Sequence, residues 1–265
     1  MTSKSRTSAP SYPEGHALLS GKTVLVTAAA GAGVGFATAR RCAEEGASVI
    51  LSDIHPERLD RCADELSAQT GHGVHRALCD VRSDEAVRDL IARVESEWDR
   101  IDVLVNNAGL GLTKDIVDLS NEEWLDVLDV NLNGTFRMLR AALPGMHAQG
   151  AGSVINVASI TAWRAEAGQT AYAAAKAGLL ALTRCAALES ADFGVRVNAV
   201  VPSLAIHPHL ERVASRDFLM RMIRENEAFG RAAEPWEVGN AVVFLASDYA
   251  SYMTGEALSV SCRRA

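Results

Sequence analysis

The chain has 265 residues, of which 48% are hydrophobic and 22% charged, so it can bury one large core or two small ones. Its formal net charge of -7 argues against a nucleic-acid or anionic membrane surface, because either partner would need a concentrated basic face. The longest apolar stretches are far shorter than the about 20 residues that span a membrane. We therefore expect small-molecule chemistry, with no nucleic-acid or membrane partner.

The N-terminus favours a flexible tail over a targeting signal. Lys4 and Arg6 are followed by serine, proline and glutamate, where a signal peptide would carry its apolar segment. The five cysteines are widely separated and form no C-x-x-C pair, which favours reduced packing residues in a cytoplasmic protein over disulfides or a metal site. We assign residues 1–18 to the tail and residues 19–265 to one domain, since no linker or repeat divides them.

Short β-branched runs alternate with longer helical patterns through the rest of the chain. The predicted strands cover residues 23–27, 48–53, 74–80, 102–107, 153–159, 195–202 and 257–261. The predicted helices lie near residues 35–45, 57–69, 84–98, 121–148, 171–192 and 235–247. Strands that are apolar throughout and separated by helices indicate a parallel sheet covered on both faces. The expected fold is α/β, a single-domain Rossmann-type doubly wound parallel sheet of about seven strands flanked by helices.

A glycine-rich turn joins the first predicted strand to the first helix, in VLVTAAAGAGVGFATARR. Gly31, Gly33 and Gly35 permit close backbone approach, and the following helix offers free N–H groups and its positive dipole end to a pyrophosphate. Many tight strand-to-helix turns bind nothing. This one follows the first strand of an α/β alternation, which is the context of a dinucleotide-binding turn.

Asp53 ends the second predicted strand, about 25 residues after the turn begins. A carboxylate there can accept both hydroxyls of an adenosine ribose, and it would repel the 2'-phosphate of NADP. No basic residue directly follows it, so NAD is favoured over NADP. Asp80, after the third predicted strand, could meet the adenine amino group. For both residues a helix-capping or turn role is the alternative.

Further motifs follow in a fixed order: NNAG at residues 106–109, then Asn131, Ser159, Tyr172 and Lys176. Taken alone, a tyrosine and a lysine four residues apart are typical of a snorkelling lysine beside a half-buried ring. With the other motifs, residues 19 to 261 resemble the short-chain dehydrogenase/reductase family. The stretches TAAAGAGVG and PSLAIHPHLERV add a weaker similarity to bacterial members that break down steroid rings or acyl thioesters.

The resemblance implies that Tyr172 is the general acid/base, that Ser159 holds the substrate oxygen, and that Lys176 binds the nicotinamide ribose and assists Tyr172. Asn131 would position a water that links Lys176 to solvent. A neighbouring ammonium and an oxidised nicotinamide would favour the phenolate, since a free phenol has a pKa near ~10. Ser159 could instead be a turn residue, and Asn131 could bond its own backbone. The expected cofactor-binding residues are Thr27, Gly31, Gly33, Val34, Gly35, Asp53, Asp80, Val81, Asn107, Ala108, Gly109, Tyr172, Lys176 and Pro202.

The sequence departs from the family pattern in the turn, in one loop and at the C-terminus. Ala28 stands where the family turn has its first glycine, and the turn is one residue longer. After the sixth predicted strand the chain has Ser203 and His207 where the family has glycine and threonine. Cofactor contacts from these two segments, and family-style subunit contacts at the C-terminus, are therefore not carried over.

Residues 203–231 interrupt the alternation beyond a strand end and are predicted to form a substrate lid. The substrate could also meet Leu110, Leu112, Trp163 and Arg164. Lid arginines are spaced so that they could meet the phosphates of a coenzyme A thioester, but interspersed acidic residues favour an ordinary solvated helical face. These arginines are Arg212, Arg216, Arg221 and Arg224.

The favoured function is an NAD(H)-dependent oxidoreductase that interconverts a secondary alcohol and a ketone, with a bulky ring or acyl-CoA thioester as the candidate substrate. One alternative is a 3-oxoacyl carrier-protein reductase, which would normally prefer NADPH and which Asp53 counts against. Another is a nucleotide-sensing protein without turnover. The resemblance also implies a homotetramer built on the helices at 121–148 and 171–192.

Overall fold

The computed structural model of the protein describes residues 7–71, 73–164, 166–207, 210 and 215–262. In this part of the chain the strands are β1 (Thr23–Thr27), β2 (Ser48–Asp53), β3 (Val74–Leu78), β4 (Val103–Asn106), β5 (Gly152–Val157), β6 (Val195–Pro202) and β7 (Ala257–Val260). The α-helices are α1 (Val34–Glu44), α2 (Pro56–Thr70), α3 (Asp84–Trp98), α4 (Asn121–Leu128), α5 (Gly134–Gln149), α6 (Thr170–Ser190), α7 (Arg216–Asn226) and α8 (Pro235–Ala246).

All strands pair in parallel in one sheet, in the order β3-β2-β1-β4-β5-β6-β7. The chain runs outward from β1 to β3, crosses to β4 on the other side of β1, and then runs outward to β7. The direction of winding therefore reverses between β1 and β4, and a crevice opens at the carboxyl ends of these two strands. The predicted α/β doubly wound fold is confirmed.

Helices cover both faces of the sheet because every strand at its centre is apolar on both sides. In β1, Val24 and Val26 belong to a cluster formed with α1, α2 and α8, whereas Leu25 belongs to a second cluster formed with α3, α5 and α6. Burial on both faces explains why these strands read as unbroken hydrophobic runs. Among the helices that the structure describes, none combines the length and the apolar character of a membrane span.

Several strands end one or two residues before their predicted limits, and the polar residues just beyond them turn into loops. The carboxylate of Asp80, after β3, accepts a hydrogen bond from the backbone N–H of Arg82 at 2.9 Å. The hydroxyl of Ser159, after β5, accepts one from the backbone N–H of Thr161 at 3.3 Å. Such local side-chain bonds compete with continuation of the strand.

The single helix predicted over residues 121–148 is two α-helices joined by a π-helical segment, Asp129–Asn133. A π-helical segment accommodates an extra residue within a helix, and such segments occur frequently at functional sites. Asn131 lies at the centre of this segment and is completely buried. The segment therefore directs a polar side chain into the interior of the protein.

The predicted lid begins where β6 ends, and α7 forms much of its second half. Hydrogen bonds join the lid to the residues that follow β6 and β7. Glu227, which is 2% exposed, accepts hydrogen bonds from the Ser203 hydroxyl at 3.3 Å and from the Cys262 thiol at 3.1 Å. Residues 208, 209 and 211–214, including Arg212, lie outside the described residues.

Residues 7–18 lie against α1 and α8. The Tyr12 hydroxyl donates to the Glu44 carboxylate at 2.7 Å, and the Tyr12 ring centroid lies 5.3 Å from that of Trp236. The buried carboxylate of Glu45 accepts from two backbone N–H groups of the segment, at 2.8 and 3.2 Å. The segment thus has defined partners in the structure, and the flexibility of the N-terminal tail stays a prediction.

The turn after β1 stores backbone strain at Ala28, whose φ of 49° lies in the left-handed region. This region costs a residue with a Cβ roughly 1–2 kcal/mol. We expect Ala28→Gly to raise the free energy of unfolding by up to about 1 kcal/mol, because the relieved strain exceeds the added chain entropy of glycine. Urea denaturation measures this difference.

The neighbouring Ala29→Gly variant is the control, since Ala29 is buried and its φ is outside the left-handed region. This substitution should lower the free energy of unfolding by roughly 1 kcal/mol through lost packing and added entropy. Equal destabilisation by both variants would show that Ala28 is not strained.

Candidate active site

Tyr172 and Lys176 lie one turn apart at the start of α6, on the helix face that meets the sheet. The Lys176 Nζ atom is 5.6 Å from the Tyr172 ring centroid. Lys176 is only 3% exposed, and its Nζ donates to the backbone carbonyl of Val157 at 2.8 Å, at the end of β5. The ammonium therefore points into the protein, which is the opposite of a snorkelling lysine.

Ser159 joins this pair from the loop that follows β5. Its hydroxyl caps a short 3-10 turn, Ile160–Ala162, and acts to lower the pKa of the neighbouring Tyr172 phenol. The end of β5 and the start of α6 thus bring the predicted serine, tyrosine and lysine together. The capping contact is the one that the turn-residue interpretation of Ser159 predicts.

Asn131 completes the group from the π-helical segment. Its side-chain amide donates to the carbonyls of Leu110 and Val127, both at 2.8 Å, and its Oδ1 accepts from the backbone N–H of Leu110 at 3.3 Å. A Cβ added to Gly109 would lie 3.1 Å from Asn131 Oδ1 and 3.8 Å from Lys176 Nζ. Asn131 and Lys176 therefore both lie beside Gly109, and the bond to Val127, four residues earlier, is the backbone contact that the alternative interpretation of Asn131 predicts.

Burial has the largest effect on the pKa values of both Lys176 and Tyr172. Desolvation lowers the pKa of Lys176 to about 8. Desolvation raises the pKa of Tyr172, while the hydrogen bond with Ser159 acts in the opposite direction. Burial thus makes Tyr172 harder to ionise than a free phenol, and the positive charges of Lys176 and of an oxidised nicotinamide would act in the opposite direction.

The glycine turn is fastened to β4 beside the crevice. The Thr27 hydroxyl accepts from the backbone N–H groups of Asn107 at 2.9 Å and Ala108 at 3.1 Å. The Asn107 amide donates to the carbonyls of Thr27 and Ala28, both at 3.1 Å. A Cβ on Gly35 would lie 2.4 Å from Asn107 Nδ2, so only glycine fits there. Asn107 and Ala108 thus shape the turn on which a pyrophosphate would rest.

The other predicted glycines leave room on the crevice side of the turn. A Cβ added to Gly31 would meet nothing within 4 Å. Gly33 is the N-cap of α1 and Val34 its first residue, and no side chain caps that end of the helix. The first N–H groups of α1 are therefore available to an anion. The described residues fit a dinucleotide at this point.

His207 is a site residue that sequence reasoning did not assign. Its ring is the nearest neighbour of Gly33, at 3.6 Å from an added Cβ, so the loop after β6 covers part of the glycine turn. Pro202, at the end of β6, pairs with Val260 of β7 at the start of this loop. The one sequence feature that could have indicated this contact is the histidine at position 207, where the family pattern has threonine.

Asp53 is 6% exposed and lies at the end of β2 beside the glycine turn. Its Oδ2 accepts from the backbone N–H of Ala30 at 3.1 Å, and its Oδ1 accepts from that of His55 at 3.1 Å. Arg58, in the first turn of α2, forms an ion pair with Oδ1 at 3.3 Å. No basic residue directly follows Asp53 in the sequence, but the first turn of α2 brings Arg58 into contact with its carboxylate.

Asp80 and Val81 border the crevice on the β3 side. Both oxygens of Asp80 bond Arg82, the closest contact being 2.8 Å, so the turn interpretation accounts for its present contacts. A Cβ on Gly134 would lie 2.8 Å from Val81 Cγ2, which shows that Val81 packs tightly on the start of α5. Leu110, which bonds Asn131, and Trp163, at the end of the turn that Ser159 caps, are 41% and 48% exposed.

Comparison with known proteins identifies relatives along almost the whole chain. Residues 28–262 match a family model described as enoyl-(acyl carrier protein) reductase. The chain is 53% identical to (5R,7aS)-5-hydroxy-7a-methyl-1-oxo-2,3,5,6,7,7a-hexahydro-1H-indene-carboxyl-CoA reductase from Mycobacterium tuberculosis, with 96% of this chain and 97% of that protein covered. It is 37% identical to a 3-oxoacyl-acyl-carrier-protein reductase from Thermotoga maritima, covering 91% of this chain and 97% of that protein.

A solved structure gives the same result. The crystal structure of a short chain dehydrogenase from Mycobacterium smegmatis superposes with a TM-score of 0.86 at 50% identity, covering 97% of this chain and 99% of that chain. The predicted resemblance is confirmed, including its weaker part, since the first relative is a reductase of a ring-bearing CoA ester. The chain belongs to the short-chain dehydrogenase/reductase family, whose members are oxidoreductases that use nicotinamide cofactors.

Proposed function

We propose that this protein is an NAD(H)-dependent oxidoreductase that interconverts a secondary alcohol and a ketone. The observation that carries the proposal is the convergence of Ser159, Tyr172 and Lys176 beside a crevice with an open glycine turn. A phenol and an ammonium withdrawn from water at this point can move a proton and bind a ribose. Bound in the crevice, the nicotinamide would exchange a hydride with the substrate carbon.

In the direction of oxidation, Tyr172 Oη takes the proton of the alcohol as the carbon loses its hydride, which leaves a ketone. In reduction, the same oxygen returns the proton to the carbonyl. Ser159 donates a hydrogen bond to the substrate oxygen and stabilises the charge that develops there. Lys176 would stabilise the phenolate through its charge and would hold the hydroxyls of the nicotinamide ribose, while Asn131 would order a water through which Lys176 exchanges protons.

The crevice favours NAD over NADP at Asp53. Its carboxylate is buried against the glycine turn, and Oδ2, which accepts one hydrogen bond from Ala30, keeps acceptor capacity for a ribose hydroxyl, whereas Oδ1 already accepts from His55 and Arg58. Arg58 complicates this preference, because it is 41% exposed and held by the same carboxylate. While the pair is intact, Arg58 is not available to a phosphate.

For the substrate, we propose a ketone or secondary alcohol on a bulky ring that carries a CoA thioester. The relative that acts on a hexahydroindene-carboxyl-CoA shares 53% of its residues with this chain, against 37% for the carrier-protein reductase. On α7, Arg216, Arg221 and Arg224 are exposed and could meet CoA phosphates, but Asp217 is exposed beside them. The phosphate-binding and solvated-face interpretations of α7 both stay predictions.

We also propose a cytoplasmic homotetramer. Exposed apolar side chains on α5 and α6 support subunit contacts, since Phe136 is 45% and Leu188 is 80% exposed. The predicted single catalytic domain over residues 19–265, with its lid at residues 203–231, belongs to the same proposal.

The first prediction concerns the acid/base. Tyr172→Phe should lower kcat/KM by at least about 100-fold, since general acid–base catalysis contributes about 100- to 10,000-fold. NADH affinity, followed by fluorescence titration, should stay within about twofold. Cyclic and bicyclic ketones and their CoA thioesters form the substrate panel. Activity within severalfold of wild type would remove Tyr172 from the mechanism, and NADH binding without turnover by the wild-type protein would favour the nucleotide-sensing alternative.

The second prediction concerns cofactor choice. Asp53→Ala should shift the ratio of NADH to NADPH affinity toward NADPH by about tenfold or more, because it removes a repulsive charge and releases Arg58. Arg58→Ala should keep the preference for NADH, and the double variant should lose most of the shift. Isothermal titration with both cofactors measures the three ratios. An unchanged ratio in Asp53→Ala would show that this carboxylate does not select the cofactor.

The third prediction follows from the lowered pKa of Lys176, about 8 against an ordinary value of 10.5. Between these values the unfolded chain binds more protons than the folded one, so stability rises with pH and is lost as pH falls through 8. The free energy of unfolding of the wild-type protein should therefore increase relative to Lys176→Met between about pH 7 and about pH 10. Urea denaturation of both proteins tests this, and a constant difference would contradict a buried, perturbed ammonium.

A further inference from the structure

Thr161 makes an unusual pair of contacts with the proposed catalytic serine. Its backbone N–H lies 3.3 Å from Ser159 Oγ, and its hydroxyl lies 3.0 Å from the same atom. Both contacts arise because Ser159 caps the short 3-10 turn in which Thr161 is the second residue. Thr161 itself is half-buried and is not adjacent to Tyr172 in the sequence.

The directions of these hydrogen bonds can be assigned by counting protons. A serine hydroxyl has one proton to donate and two lone pairs that accept. In the proposed function Ser159 gives this proton to the substrate oxygen, and the same hydroxyl acts to lower the pKa of the neighbouring Tyr172 phenol. With that proton committed to the reacting oxygens, the Ser159 oxygen can only accept in its two Thr161 contacts, at 3.3 and 3.0 Å. The Thr161 hydroxyl must then be the donor in its contact with Ser159.

We propose that Thr161 is a positioning residue, which fixes the Ser159 hydroxyl as a donor toward Tyr172 and the substrate oxygen. The inference rests on the proposed function and adds a fifth member to the group formed by Asn131, Ser159, Tyr172 and Lys176. The order of donation runs from Thr161 to Ser159, and from Ser159 to the reacting oxygens. Two donors on one oxygen also polarise its own O–H bond, which strengthens the hydrogen bond that Ser159 gives.

A merely structural role for Thr161 would be different. The backbone N–H alone would cap the turn, and the hydroxyl could then be removed without effect on Tyr172. In the proposed arrangement, loss of the hydroxyl frees one lone pair of Ser159 and weakens its donation. The pKa of Tyr172 should rise, although the backbone bond and the turn persist.

The experiment compares Thr161→Val, which removes the hydroxyl at nearly constant shape, with Thr161→Ser, which keeps it. The pKa of Tyr172 is followed by NMR of carbon-labelled tyrosine, with and without NAD. The chain has four tyrosines, so the Tyr172→Phe spectrum assigns the signal directly. Thr161→Val should raise this pKa by about 0.5 unit or more, and Thr161→Ser should restore it to within about 0.2 unit of wild type.

Kinetics give the second readout, on the alcohol that the wild-type protein oxidises fastest. In Thr161→Val the ascending limb of the kcat/KM profile should move to higher pH by the same amount, with kcat about tenfold lower and KM little changed. Thr161→Ala is the second hydroxyl-free variant should Thr161→Val fail to fold. A wild-type pKa in the hydroxyl-free variants, or equal shifts in Thr161→Val and Thr161→Ser, would overturn the proposal.

The proposed function and the proposed role of Thr161 can be refuted independently of each other. A wild-type protein that oxidises no alcohol in the panel refutes the proposed function, while the NMR titration still decides whether Thr161 controls Ser159. Turnover with an unshifted Tyr172 in Thr161→Val refutes only the role of Thr161.

Discussion

The arrangement of the site depends on one buried hydrogen bond, from the Lys176 ammonium to the Val157 carbonyl at 2.8 Å. A charge taken out of water needs a partner, and here the partner is a neutral backbone group, so the charged form is only weakly held. This bond joins the start of α6 to the end of β5. Ser159 follows Val157 by two residues and Tyr172 precedes Lys176 by one turn, so the same contact sets the distance between them.

The opposite side of the crevice uses uncharged side chains to control the backbone. Asn107 and Thr27 join the ends of β1 and β4, and the Asn107 amide bonds the Ala28 carbonyl. This explains how the turn keeps a left-handed residue although the chain has alanine where the family has glycine. The tertiary contact imposes a conformation that the residue itself would not choose.

The sequence predicts those parts of the protein that depend on local periodicity. Apolar runs between helices yield the sheet, and a spacing of four places Tyr172 and Lys176 together because they share a helix. The sequence does not predict contacts that form only when the chain folds back on itself. Arg58 reaches Asp53 only once α2 begins at Pro56, and His207 reaches Gly33 only through a loop from the far side of the sheet. The extra residue near Asn131 is likewise invisible, since it changes the helical register without changing composition.

The π-helical segment has a consequence for the tolerance of this region to shortening. Deletion of one residue between 129 and 133 would let α4 and α5 merge into regular helix, with better backbone hydrogen bonds than the wider loop provides. The same deletion would rotate one flank by about 100° and carry the Asn131 amide away from Leu110 and Gly109. Local helix energetics and the placement of this amide therefore oppose each other, and the native length of the segment resolves that conflict in favour of the site.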